Sequence, residues 1–171
     1  PGTKQVYSNA GFSIAGVMLE EVANASYEDL LREKLFKPLG MGDAGFRAPA
    51  TNGLVDQPYG HTKSWFTVQA VDPEPAGDNP AAIAPAGAVH LSIKDFANYA
   101  MFHMGGNNLI SDKSLKKLHT PIKDDYAMGW SVLKRGWAGS HALNHAGSNT
   151  MFAANIWIAP DKDFAVFGMT N

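Results

Sequence analysis

The sequence predicts an α+β fold, with a helical region followed by antiparallel sheet strands. Apolar residues recur at helical spacing early in the chain, most clearly over 10–25 and 93–104. From Tyr126 the period changes to two, with Met128, Trp130 and Val132 alternating. Near the end, Pro160-Asp161-Lys162-Asp163 separates two apolar runs, the pattern of a turn inside a hairpin. Helices first and antiparallel strands last argue for α+β.

Each element has its own signal. Over 10–25, Phe12, Ala15, Leu19, Val22 and Ala23 share one side of a helix, with Glu20 and Glu21 opposite. Asn24-Ala25-Ser26 interrupts it, and Ser26 can cap a second helix from Tyr27 to about Lys37, with Asp29 in the capping-box position. Leu30, Leu31, Leu35 and Phe36 form its stripe; Pro38, Gly40 and Gly42 end it. Residues 43–87 are dense in proline and show little periodicity, and irregular stretches this long tend to wrap or border a site. Ser92 caps a helix over Ile93–Met104, stopped by Gly105-Gly106, and a short helix follows at about 112–119. The runs 151–158 and 164–169 are expected to pair as an antiparallel hairpin.

Composition narrows the function classes. A length of 171 residues suits one domain, and 45% hydrophobic with 18% charged residues is ordinary for a globular chain. A formal charge of -2 gives no electrostatic footprint for nucleic acid. Without cysteine there is no disulfide framework, thiolate metal site or cysteine nucleophile. No apolar run approaches the ~18 residues of a membrane span. Pro1-Gly2-Thr3 carries no targeting pattern, and the chain stops directly after an apolar strand run, so a piece of a longer domain is expected.

Several constellations hold residue types that can carry chemistry. His141 and His145 have a metal-ligand spacing for a helix, but Gly136, Gly139 and Gly147 argue against a helix there, and no metal or other cofactor is expected. Gly11-Phe12-Ser13-Ile14-Ala15 resembles a nucleophile elbow, which needs a strand leading into a sharp turn; Ser13 instead lies inside a helical pattern. Ser131 and Lys134 fall on opposite faces of a strand, and Ser114 with Lys117 sits on a charged, solvated helix. Tyr7-Ser8-Asn9 at a helix start is different when joined with His145-Ala146-Gly147-Ser148 before a strand. Tyr7 and Asn9 can face one cleft from the turn, and a strand bearing an imidazole, then Gly147 and an exposed backbone N–H, is a plausible oxyanion-binding edge. The bland alternatives are a half-buried tyrosine and a turn histidine.

In order along the chain, Pro1-Gly2, Tyr7-Ser8-Asn9-Ala10-Gly11-Phe12, Tyr27-Glu28, Pro38-Leu39-Gly40-Met41, Pro85-Ala86-Gly87, Ser92, Asp95-Phe96-Ala97, Tyr126-Ala127-Met128-Gly129-Trp130, His145-Ala146-Gly147, Pro160 and Thr170-Asn171 resemble the serine β-lactamase/penicillin-binding-protein-like family, near class C β-lactamases and their esterase relatives. The resemblance implies part of a β-lactamase/transpeptidase-like fold, with 1–125 and 126–171 as two parts of one incomplete catalytic domain. It implies acyl-enzyme hydrolysis of an ester, amide, D-amino-acid peptide or β-lactam by the motifs Ser-x-x-Lys, Tyr-x-Asn and Lys/His-x-Gly. Tyr7 would be the base and acid beside the nucleophile, and Asn9 would hold the motif lysine and the substrate amide. His145 and Gly147 would fill the third motif, and the Ser148 N–H would be an oxyanion-hole donor. It makes a periplasmic or secreted location plausible.

This sequence departs from the pattern twice. The Ser-x-x-Lys segment belongs upstream of Tyr7, where only six residues stand. Histidine also replaces the common lysine at 145, and an imidazole of ordinary pKa, ~6.5, is mostly neutral at pH 7 and holds a carboxylate less firmly than an ammonium. The expected partners are therefore a small-molecule substrate and a missing N-terminal segment or second chain that completes the fold, with self-association as another way to cover an open sheet edge. The chain alone is expected to be inactive. The rival reading is a non-catalytic binding module on the same scaffold, and a weaker one an α/β-hydrolase using Ser13.

Overall fold

Four helices begin at a serine whose hydroxyl accepts a free N–H of the first turn, the role for which serine is favoured at that position. In the computed structural model, which describes residues 3–106 and 108–171, these are α1 (Asn9–Ala23), α2 (Tyr27–Leu31), α4 (Ile93–His103) and α5 (Asp112–His119), with a short α3 (Ala84–Gly87) between them. Ser8, Ser26, Ser92 and Ser111 accept from the N–H groups of Gly11, Asp29, Asp95 and Ser114. Pro1 and Gly2 of the opening motif lie outside the described residues. The second helix departs from the expected form: after Leu31 it widens into a π turn, Arg32–Phe36, with Lys37 N–H bonded to the Arg32 carbonyl at 2.9 Å. Phe36 packs there with Leu39, Met41 and Phe102.

The proline-rich stretch holds more order than its sequence suggests. Gly45–Phe46 (β1) pairs with Val89–His90 (β4), and Gly60–Lys63 (β2) pairs with Val68–Val71 (β3) as an antiparallel hairpin. Strands of two to four residues are too short to display a period, which is why they escape a pattern reading. At Gly60 a Cβ would stand 2.8 Å from the Met151 Cβ and 2.9 Å from the Phe152 ring, so only glycine lets this hairpin approach the 149–152 turn so closely.

The main sheet runs β5 (Ser131–Lys134), β6 (His141–Ser148), β7 (Ala153–Ala159), β8 (Phe164–Thr170), antiparallel throughout. The expected hairpin is present, from Ala153↔Thr170 to Ala159↔Phe164. The expected strand from Tyr126 starts later. Met128 and Trp130 belong to a turn, closed by Ala127 N–H to the Trp130 carbonyl at 2.8 Å, because Gly129 takes φ +87° and breaks the extended run. Helix α4 covers one sheet face with Phe96 and Ala100, against Trp130, Val132, Leu143, Ile156 and Ile158. The opposite face carries the small cluster Ala138, Ala142 and Ala159 beside Trp157. No helix among the described residues is long and apolar enough to cross a membrane.

Candidate active site

Tyr7 is placed by the start of α1. With Ser8 as the cap, Tyr7 is the residue before it and Phe12 the fourth helical residue, the two positions that pack as a hydrophobic staple. Their ring centroids are 5.8 Å apart. The same segment is tied to a distant turn, because Gln5 N–H donates to Asp124 Oδ2 at 3.2 Å and the Tyr7 ring meets Tyr126 edge-on at 6.4 Å. Asn9 opens the helix, and its carbonyl accepts from Ser13 Oγ at 3.2 Å.

The turn 126–130 links this helix start to the sheet. Its Gly129 carbonyl is 2.6 Å from His145 Nδ1. A carbonyl only accepts, so Nδ1 carries the proton and Nε2 is left as the free nitrogen of the ring. Trp130 meets the same imidazole edge-on at 6.5 Å. One turn therefore touches Tyr7 at one end and His145 at the other. Tyr126 itself has a buried hydroxyl with no partner among the described residues, and burial first, Tyr7 second, push its pKa up.

Ser148 ends β6 on an unpaired edge. Asn149 N–H bonds the Phe152 carbonyl at 3.3 Å, which makes 149 and 152 a hydrogen-bonded pair. Such pairs alternate along an antiparallel ladder, so the Ser148 N–H turns away from β7. On that other side β5 pairs only as far as Asn144, leaving the backbone of Ala146 and Ser148 open. Gly147, opposite Ala154, lies between them with nothing near its missing Cβ. Ser148 also lines a cavity of about 300 Å³ together with His61, Thr62 and Lys63 of the β2–β3 hairpin, so part of the 43–87 stretch borders the end of β6.

The remaining sequence candidates lie elsewhere. Ser13 is a helical residue inside α1, without the strand and sharp turn of an elbow. His141 and His145 lie on one strand, ~13 Å apart by the strand rise. Among the described residues no group of three potential ligands could hold a metal ion. Ser114 receives the Ser111 cap on α5, and Ser131 begins β5. Sequence reasoning missed the Gly129 carbonyl, although a glycine inside an alternating run was its signal. It also missed His103, 2% exposed, whose Nδ1 is 2.8 Å from His119 Nε2. Burial, with His119 beside it, lowers the His103 pKa to about 3, and burial lowers that of His119.

Comparison with known proteins places the chain by sequence and by fold. A family model described as Beta-lactamase matches residues 1–171. The Unguisins hydrolase ungD' of Aspergillus campestris is 26% identical over 186 residues, covering 100% of this chain and 34% of that protein. The octameric penicillin-binding protein homologue from Pyrococcus abyssi overlays at TM-score 0.85 and 23% identity, covering 100% of this chain and 39% of that one. A D-stereospecific amidohydrolase from Streptomyces sp. overlays at TM-score 0.79 and 20% identity, covering 100% and 51%. The two overlays show the shared β-lactamase/transpeptidase-like fold. The chain spans about a third to a half of the length of these relatives.

Proposed function

This chain belongs to the beta-lactamase family, and from that premise we propose that it supplies the tyrosine and strand-edge side of a serine acyl-transfer site. The observation that carries the reading is the 126–130 turn, which contacts Tyr7 and fixes the His145 ring. The substrate is a small-molecule ester, amide, D-amino-acid peptide or β-lactam. The nucleophilic serine and its lysine come from a segment outside these 171 residues, as the greater length of the relatives supports. In this reading the same segment covers α1 and completes the sheet, and 1–125 and 126–171 act as one catalytic unit.

The chemistry divides among the residues. The serine Oγ bonds to the substrate carbonyl carbon while its proton passes to the Tyr7 oxygen, which enters the step as the phenolate beside the motif lysine. The Ser148 N–H donates to the oxyanion that forms, on an edge with no competing strand. Tyr7 returns the proton to the departing alcohol or amine as the carbon–leaving-group bond breaks, and water then releases the acyl group. Asn9 orients the lysine and the substrate amide. His145, held through Nδ1, presents Nε2 to the substrate, and Gly147 keeps a side chain out of its path.

The test is intact-mass spectrometry after incubation with a fluorophosphonate. The 171-residue chain should stay unlabelled, and a longer chain with an upstream Ser-x-x-Lys should gain one adduct. In that longer chain Tyr7→Phe should slow turnover of a p-nitrophenyl ester by about 10²–10⁴-fold, the usual worth of a positioned acid–base group. An adduct on Ser13 or Ser114 overturns the assignment. A longer chain that binds substrates without ever being acylated favours the binding-module reading.

A further inference from the structure

We propose that Trp130 is a positioning residue of this site. Its indole, wedged between His145 and the buried His103–His119 pair, holds the His145 imidazole in the orientation from which it meets a substrate. That the imidazole meets a substrate rests on the acyl-transfer reading; the wedge itself rests on the packing alone.

The wedge is part of a continuous row of rings. His119 on α5 is hydrogen-bonded to His103 on α4, with Nε2 and Nδ1 2.8 Å apart. The His103 ring stands edge-on to Trp130, with centroids 4.8 Å apart at 74°. Tyr99, one turn earlier on α4, lies nearly parallel to the indole, at 6.3 Å and 20°. Trp130 in turn meets His145 edge-on, at 6.5 Å and 85°. These separations all fall in the range where aromatic pairs attract.

The turn has few other anchors. Of residues 126–130 only Ala127 and Trp130 are buried, and Ala127 offers a single methyl group. The turn closes on Trp130, whose carbonyl accepts from Ala127 N–H, and it carries the Gly129 carbonyl bonded to His145 Nδ1. A shift of the indole therefore moves both neighbours of the imidazole, the ring beside it and the carbonyl that takes its proton.

The histidine pair is the costly part of the arrangement. His103 Nε2 is buried without a partner among the described residues, which a leucine or phenylalanine would avoid. Burial lowers both pKa values and keeps both rings neutral at neutral pH. One nitrogen of the pair then donates and the other accepts, which holds both rings against rotation. A hydrogen bond inside an apolar core specifies one arrangement where plain packing allows several. Here it specifies the seat of the indole.

The first measurement is a long-range proton–nitrogen NMR spectrum of the His145 ring in the 171-residue chain. The unmodified chain should show one tautomer, with the proton on Nδ1. Trp130→Phe keeps an aromatic residue in the core but withdraws the indole, and should give a mixture with protonated Nε2. Trp157→Phe, the same truncation on the opposite face of the sheet, should leave the His145 spectrum unchanged. His119 is only half-buried, so its variants disturb the seat without emptying the core. His119→Leu should shift the tautomers as Trp130→Phe does, and His119→Gln, which can again bond His103, should bring them back. In the longer chain with an upstream Ser-x-x-Lys, Trp130→Phe should raise KM about tenfold, short of the ~10²-fold that a misplacement of ~1 Å can cost. A merely destabilised protein would instead lose kcat through its folded fraction and keep KM.

An unchanged His145 tautomer in Trp130→Phe, an equal change in Trp157→Phe, His119→Leu and His119→Gln that behave alike, or an unchanged KM overturns the proposal. The spectra need no nucleophile, so the two readings fail separately. A longer chain that is never acylated sinks only the acyl-transfer reading. An acylated chain in which Trp130→Phe alters neither tautomer nor KM sinks only the positioning role.

Discussion

Helices α1 and α4 have the same sequence grammar and opposite fates. Both start at a capping serine and both carry an apolar stripe. Helix α4 buries Phe96, Ala100, Phe102 and His103 against the sheet and its neighbours. Helix α1 buries only Gly16, pressed so near Pro85 that a Cβ would come within 2.4 Å of it. Its Val22 is 89% exposed, and Met18 and Ile14 are more than half exposed. An amphipathic pattern therefore specifies that a helix forms and which side seeks cover, but not what covers it. In this chain α1 is held by its cap, by the Tyr7–Phe12 staple and by packing on α3, and it carries Tyr7 and Asn9 at its N-terminal end. His145 and Ser148 stand on the well-packed sheet.

The sharpest way to break this contrast is to truncate one large apolar side chain on each helix. Phe96→Ala should cost about 3–5 kcal/mol, the usual range for truncating a core aromatic. Val22→Ala should stay within about 0.5 kcal/mol, as for surface substitutions. Urea denaturation followed by tryptophan fluorescence measures both. A Val22→Ala loss of about 1.5 kcal/mol or more, the scale of two buried methyl groups, would mean that α1 is covered in solution.

Acid should separate the two helices next. The buried His103, with a folded-state pKa of about 3, is neutral where the unfolded chain's imidazole already binds a proton. Between that value and the unfolded pKa, ~6.5, the unfolded state holds more protons, so stability falls as pH falls. The slope is up to about 1.4 kcal/mol per pH unit for His103, and the lowered pKa of His119 adds in the same direction. Above pH ~6.5 the contribution is flat. His103→Phe should flatten the acid limb of a midpoint-against-pH plot; an unchanged limb would show that another group controls it.

The local signals were largely legible in the sequence. The short helix expected over 112–119 is present, and the 160–163 turn joins the expected hairpin. The 10–25 and 93–104 helices shift by one or two residues at their ends. What escaped is what depends on partners far along the chain. The Gly129–His145 bond joins residues 16 apart, Gln5–Asp124 joins residues 119 apart, and the approach of Gly60 to Met151 joins residues 91 apart. Tyr7 and His145 each belong to a short motif, and nothing in either tripeptide announces the 126–130 turn that both of them touch. The exposure of α1 was equally invisible, because Phe12, Leu19 and Val22 would form the same stripe whether covered or bare.

The smallest effect tests whether α1 is energetically separate from the rest. Ser8→Ala and Ser92→Ala each remove one hydroxyl that accepts a first-turn N–H, at 3.0 Å from Gly11 and 3.2 Å from Asp95. Loss of such a cap costs about 1 kcal/mol of helix stability. Where the helix is part of the cooperative core, that cost appears in the global unfolding equilibrium; where it opens on its own, it appears only in local opening. Ser92→Ala should therefore lower the urea midpoint, with amides of α4 and the sheet exchanging faster together. Ser8→Ala should leave the midpoint nearly unchanged and speed hydrogen exchange only within Asn9–Ala23. Because Tyr7 is stapled to Phe12, the same variant should broaden the Tyr7 ring signals in NMR while those of His145 stay sharp. A midpoint lowered equally by both substitutions would show that α1 unfolds with the core despite its exposed face, and the contrast between the two helices would then be one of surface alone.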